Sequence, residues 1–388
     1  MESIIGIGIF ISVFFVRSFT TLIHELGHGI PALLFTEKQV KLYIGTYNSD
    51  DKTLHLNLGR LQIYFKYNLF MWDIGLCTFS GRKISINQNF IITLFGPLAS
   101  LLFGLACLFL AIFGGIGDNL IIICMFFLVS CVMDFLNNII PNNSPIMLDD
   151  GSTTYNDGTQ LLNLLKYKKL PLEVREAVEN YHQKEYKEAL LKLENNDKVN
   201  GENAEVSRLK IACHIQLKNY EKARELMYTL SEKHEIIADD YKYAGIIKAE
   251  TGQYEESVKY YQKALELAPE NLEIINNIGY TLILAGDYES AIHQLNIVLD
   301  RNPKHPYALN NRGFAKIKQR DYTGKDDILK SIEIDKENAF AHRNLGIYFY
   351  DKKEYQEAII HFEKAFELDS ETKWLKKYMK KTKEKLKQ

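Results

Sequence analysis

Three long apolar stretches dominate the first part of the chain. They run from about Ile4 to Phe35, from Phe90 to Phe113 and from Leu120 to Ile140. Each reaches the ~20 residues a helix needs to cross a bilayer. The first exceeds that length, so it must tilt, kink or emerge, and Gly27, Gly29 and Pro31 supply the place for a kink. Only Gly114 to Asn119 separates the second and third, which predicts a helical hairpin. Between the first two stretches the period changes. Val40-Lys41-Leu42-Tyr43-Ile44, Leu54-His55-Leu56-Asn57-Leu58 and Leu61-Gln62-Ile63-Tyr64-Phe65 alternate apolar and polar residues, with turn residues between them. Period two predicts a small antiparallel sheet within a β-rich insertion at 38–80.

Beyond Leu170 the pattern becomes helical and repeats. Tyr186, Tyr220, Tyr254, Tyr288, Tyr322 and Tyr355 recur at intervals of 34, 34, 34, 34 and 33 residues. Ala189, Ala223, Ala291 and Ala358 follow three residues after their tyrosines. Gly245, Gly279, Gly313 and Gly346 precede theirs by nine. A small residue where paired helices approach, with a tyrosine near the turn, is similar to the tetratricopeptide repeat. Six such repeats fit residues 169–372. They predict a soluble solenoid whose concave face takes a protein segment. Residues 373–388 hold eight lysines, with Trp374, Leu375, Tyr378, Met379 and Leu386 on one face. This reads as a basic cap helix over the last repeat, with contact to an anionic leaflet as the other option.

Charge sets the topology. The formal net charge of the 388 residues is −2, which gives no reason to expect nucleic acid. The 36–88 connection carries Lys38, Lys41, Lys52, Arg60, Lys66, Arg82 and Lys83, whereas 114–119 carries no Lys or Arg. The positive-inside rule puts the insertion, and after three spans the repeats, on the cytoplasmic side of a multi-pass cell-membrane protein. Met1-Glu2-Ser3 lacks a basic start and no cleavage site follows, so the first helix is expected to be retained. Cys77, Cys107, Cys124, Cys131 and Cys213 show no CxxC spacing and read as small buried hydrophobes. Arg17 reads as snorkelling or paired within the bundle.

The chemistry lies at the end of the first apolar stretch, in His24-Glu25-Leu26-Gly27-His28. On a helix, HExxH sets two imidazoles on one face to hold a metal ion, and the glutamate is placed to act as general base toward water there. A catalytic zinc ion takes three protein ligands, so a third must come from elsewhere. Asn138-Ile139-Ile140-Pro141 follows the third span, and then Asp149-Asp150-Gly151 and Asp157-Gly158.

Together with Phe95-Gly96-Pro97-Leu98, this set resembles the site-2 protease family of intramembrane zinc metalloproteases, over about residues 10–165. The resemblance implies an all-α dominated chain. A three-span membrane helical metalloprotease core with a small β-sheet insertion (1–168) is followed by a soluble α-solenoid of tetratricopeptide repeats. It implies zinc on His24, His28 and an aspartate, with Glu25 as catalytic base. It further implies regulated cleavage of a peptide bond in or near the transmembrane helix of a membrane protein substrate. The loop after Pro141 is longer than the family's compact run. Asp157 is expected as third ligand because an apolar helical run, Thr159 to Leu165, follows it directly. Asp150, nearer Pro141, and Asp134, within the third span, are the alternatives. The repeats then recruit substrate or a cytoplasmic protein regulator. The competing reading is an inactive scaffold of tetratricopeptide repeats anchored to the lipid bilayer.

Overall fold

The computed structural model describes residues 2–47, 53–68, 72–79, 84–142, 144, 146–148, 153–201 and 203–387, with the side chains of 2–14, 147 and 153 excepted. The chain is predominantly helical and divides into two compact units, Met1–Lys169 and Leu170–Gln388.

In the first unit α1 (Glu2–Phe35) runs on through Pro31. α2 (Ile86–Phe113) and α3 (Asp118–Ile139) pack against it and against each other. Ser85 caps α2 with a reciprocal bond to Gln88, which fixes where the helix starts. Among the described residues, α2 and α3 are the two helices long and apolar enough to cross a membrane. The expected first span falls in α1, whose early side chains lie outside the described set. Gly27 has a packing reason: a Cβ there would stand 2.4 Å from the Phe95 carbonyl oxygen, so its absence lets α1 and α2 cross closely.

The insertion forms four strands, β1 (Val40–Ile44), β2 (Thr53–Leu58), β3 (Leu61–Lys66) and β4 (Gly75–Phe79), in the order β2-β3-β1-β4. β1 runs parallel to β3 and antiparallel to β4, so the sheet is mixed rather than antiparallel. The β2–β3 hairpin turns at Gly59 and returns β3 alongside β1 in the same direction, a relation that alternation along each strand does not encode. β4 lacks a polar–apolar alternation and is not legible as a strand by that signal. Val40, Leu42 and Ile44 are fully buried in a core with Leu22, Leu26 and Ala32 of α1. That packing fixes the sheet on the helix that carries HExxH. A short ladder, β5 (Ile146–Met147) with β6 (Thr153–Thr154), leads into α4 (Asp157–Lys169).

The second unit is a series of antiparallel helix pairs: α5 (Leu172–His182) with α6 (Tyr186–Asn200), α7 (Ala204–Gln216) with α8 (Tyr220–Lys233), α9 (Ala238–Glu250) with α10 (Tyr254–Leu267), α11 (Leu272–Ala285) with α12 (Tyr288–Arg301), α13 (Pro306–Lys318) with α14 (Gly324–Ile334), and α15 (Ala339–Asp351) with α16 (Tyr355–Leu368). Five of the six periodic tyrosines open the second helix of their pair. Tyr322 instead precedes α14, which opens at Gly324, where the Gly313 and Gly324 backbones meet too closely for any Cβ. The periodic glycine of the third repeat, Gly245, faces the buried ring of Tyr261, where a Cβ would lie 2.6 Å from the ring edge. The last helix, α17 (Leu375–Lys385), buries Leu375 with Trp374, Tyr378 and Met379 against the final repeats, as a cap does.

Candidate metal centre

Both histidines are buried on one face of α1, one turn apart. The Nδ1 of His24 stands 2.7 Å from the Asp134 carboxylate of α3, and the Nδ1 of His28 stands 2.8 Å from the Ile92 carbonyl oxygen of α2. Each partner there is an acceptor, so each Nδ1 carries a proton, and the neutral imidazole then presents a bare Nε2. The two Nε2 atoms are 3.1 Å apart. Asp157, the first residue of α4, brings Oδ2 to 3.1 Å from His24 Nε2 and 3.4 Å from His28 Nε2. Two bare imidazole nitrogens and a carboxylate oxygen, all within 4.8 Å of one another, repel unless a cation lies among them. The donor set of two imidazoles and one carboxylate suits zinc. Burial alone would favour the neutral acid at Asp157, and a cation among the three donors would restore its negative charge. The α4 N-terminus favours the same charge.

Glu25 is buried beside the cluster, and its Oε2 has no hydrogen-bond partner among the described residues. An orphaned carboxylate oxygen aimed into a site fits a group that meets water or substrate there. Its room comes from Gly75 at the start of β4, where a Cβ would lie 2.6 Å from Glu25 Oε1. Gly96 does the same for His28: a Cβ there would lie 2.2 Å from Nε2. A cavity of about 240 Å³ opens next to the cluster, lined among others by Thr21, Tyr47, Asp73, Gly75 and Asn138. Gly75, Leu76, Cys77 and Phe79 of β4, an edge strand of the described sheet, contribute to its lining.

The structure thus brings together His24, His28, Asp157 and Glu25. Asp150 lies outside the described residues. Asp134 does not join the cluster. Its carboxylate accepts from His24 Nδ1, from Ser100 Oγ at 2.7 Å, from Arg17 Nη1 at 3.1 Å and from Asn138 Nδ2 at 3.2 Å. Arg17 is therefore paired within the bundle. Two supports were not anticipated from sequence. Ser100 sits in an apolar run with nothing to mark it. Asn156 does carry a signal, as a residue of N-cap type directly before Asp157-Gly158. Its Nδ2 donates to the Asn137 and Ile140 carbonyls, and its Oδ1 accepts from the Asn142 and Thr159 amides. The end of α3 is thereby stapled to the start of α4. Gly158 allows the approach, since a Cβ there would lie 2.2 Å from the Ile139 carbonyl oxygen.

Residues 9–140 match the Peptidase M50B-like family model. Residues 248–310 and 339–372 match tetratricopeptide repeat models. No curated protein matches the chain. Among solved structures, the chain is similar to a tetratricopeptide repeat protein from Parabacteroides merdae, at 16% identity and a TM-score of 0.49 over 58% of this chain and 91% of that one. MamA from Desulfovibrio magneticus RS-1 is similar at 22% identity and 0.34, covering 44% of this chain and 97% of that one. YrrB, described as a tetratricopeptide repeat protein with an unusual peptide-binding site, is similar at 18% identity and 0.34, covering 47% and 94%.

Proposed function

For a chain that joins a Peptidase M50B-like domain to tetratricopeptide repeats, we propose an intramembrane zinc metalloendopeptidase that cleaves a membrane protein in or near a transmembrane helix. The observation that carries this reading is the convergence of His24, His28 and Asp157 from two helices, with the unpartnered Glu25 carboxylate beside them.

Zinc, when bound, supplies Lewis acidity that acidifies water and polarises a peptide carbonyl. The chain's own residues do the rest. His24 Nε2, His28 Nε2 and Asp157 Oδ2 hold the ion, while Asp134 and the Ile92 carbonyl fix both imidazoles in the tautomer that leaves Nε2 free. Glu25 Oε2 accepts a proton from water and returns it to the leaving amine. A substrate helix hides its peptide bonds and must unwind before attack. β4 is an edge strand among the described residues and supplies Gly75, Leu76, Cys77 and Phe79 to the cavity lining, so an extended segment would be held there by strand addition.

We place three spans in the membrane, α1 to α3, with the sheet and the repeats on the cytoplasmic side, as the lysine and arginine distribution directs. The repeats then recruit substrate or a cytoplasmic regulator. The test compares peptide termini in membranes from cells producing wild type or Glu25→Gln. Termini within transmembrane segments that appear only with wild type support the reading. Identical termini in both contradict it and favour the inactive scaffold.

A further inference from the structure

In a solenoid each repeat touches its neighbours. A segment that follows the sixth repeat therefore reaches the second and third only across the space the superhelix encloses. Residues Glu371–Trp374 make that crossing. Lys218 Nζ, in the turn between α7 and α8, donates to the Glu371 carbonyl at 2.9 Å. Lys373 Nζ lies 3.5 Å from the Glu250 carboxylate at the end of α9. Trp374 stacks on Phe314 of α13 with ring centroids 5.9 Å apart. Arg343 of α15 donates Nη1 to the Lys373 carbonyl at 3.1 Å, and its guanidinium lies 5.2 Å from the Trp374 ring centroid.

Two further features mark this crossing as held in place rather than incidental. Trp374 adopts φ +67°, a left-handed backbone that a bulky side chain seldom takes. Arg343 is 1% exposed and touches no carboxylate among the described residues. Its Nε and Nη2 go to Asn344 Oδ1, and burial pulls its pKa down to about 10. A buried guanidinium is costly unless its donors are filled, and the strap's carbonyl and indole fill what Asn344 leaves.

We propose that Glu371–Trp374 is an internal ligand of the solenoid's inner face. The face is an interaction surface for a protein segment of the same chemistry, folded into a tight turn as 371–374 is, with a basic residue followed by an aromatic one. Glu250 takes the ammonium, Phe314 and Arg343 take the ring, and Lys218 and Arg343 take the flanking carbonyls. An incoming segment competes with the strap, so the surface is self-occupied until a partner displaces it. This rests on the repeats being a recruiting module and is independent of peptidase activity.

The test uses the full chain in detergent and a fluorescent peptide with the sequence of residues 370–376. A tethered strap acts at an effective concentration of order millimolar. The Lys373→Ala/Trp374→Ala double variant should therefore bind the peptide at least ~10-fold more tightly than wild type. Adding Glu250→Gln should weaken that binding, and a scrambled peptide should not bind. Equal binding, or none to either protein, overturns the proposal. A second measurement leaves the strap intact. The chain has two tryptophans, so Trp72→Phe makes Trp374 the sole reporter. A saturating unlabelled peptide with Phe in place of Trp should shift the Trp374 emission to the red and expose it to quencher. An unmoved spectrum overturns displacement.

Discussion

The His24 imidazole and the Asp134 carboxylate, 110 residues apart in sequence, meet at 2.7 Å between α1 and α3. That contact decides which nitrogen of His24 is free. Asp134 is itself held by Ser100 from α2 and by Arg17 from α1, so α1, α2 and α3 converge on one carboxylate. The family-like HExxH is thus oriented by residues that no motif contains.

Replacing Asp134 with Ala should lower zinc affinity by about 10–100-fold, the usual cost of losing a partner of a metal-bound histidine. Asp134→Asn keeps an acceptor for His24 Nδ1 and should lose less. Chelator competition on purified protein measures both, with far-ultraviolet dichroism as the control for folding. Unchanged affinity in Asp134→Ala would remove this residue from the site.

Gly96→Ala tests the clearance around His28. The new methyl would fall 2.2 Å from Nε2, and the ring cannot yield without breaking its bond to the Ile92 carbonyl. Overpacking of this kind costs about 1–3 kcal/mol. The variant should melt earlier and bind less zinc. Gly117→Ala, where a Cβ meets nothing within 4 Å, is the matched control and should retain full zinc.

Asn156→Ala should loosen the start of α4. The change removes three hydrogen bonds to Asn137, Ile140 and Asn142 and the capping bond from the Thr159 amide. A lost N-cap costs about 1–2 kcal/mol. Zinc occupancy should fall because Asp157 is the next residue, while the repeat unit keeps its helical signal. Full occupancy together with an unchanged melting temperature would show the staple to be dispensable.

Much of this was written in local pattern. Length and hydropathy place α2 and α3 near their expected limits, and the tyrosine period marks the second helix of five pairs. HExxH on a helix fixes which two imidazoles share a face. The strand order was not legible, because alternation reports a buried face and not a partner. β4 was missed because Gly-Leu-Cys-Thr-Phe has no clean period two, yet its glycine makes room for Glu25. Ser100 and the Ile92 carbonyl were invisible for a different reason. Their roles arise only when α2 crosses α1, and a backbone carbonyl carries no residue signature.

Topology follows from charge and is open to direct labelling. A reporter thiol at Asn271 should react only from the cytoplasmic side, and one at Gly115 only from outside. The reverse pattern would contradict the lysine and arginine asymmetry on which the orientation rests.

The central claim is that His24, His28 and Asp157 hold a zinc ion that Glu25 serves but does not bind. Metal analysis of purified protein in detergent tests it most directly. Wild type and Glu25→Gln should each carry about one zinc per chain, and His24→Ala and Asp157→Asn should carry little. Asp150→Asn should match wild type. Full zinc in Asp157→Asn with loss in Asp150→Asn would contradict the account.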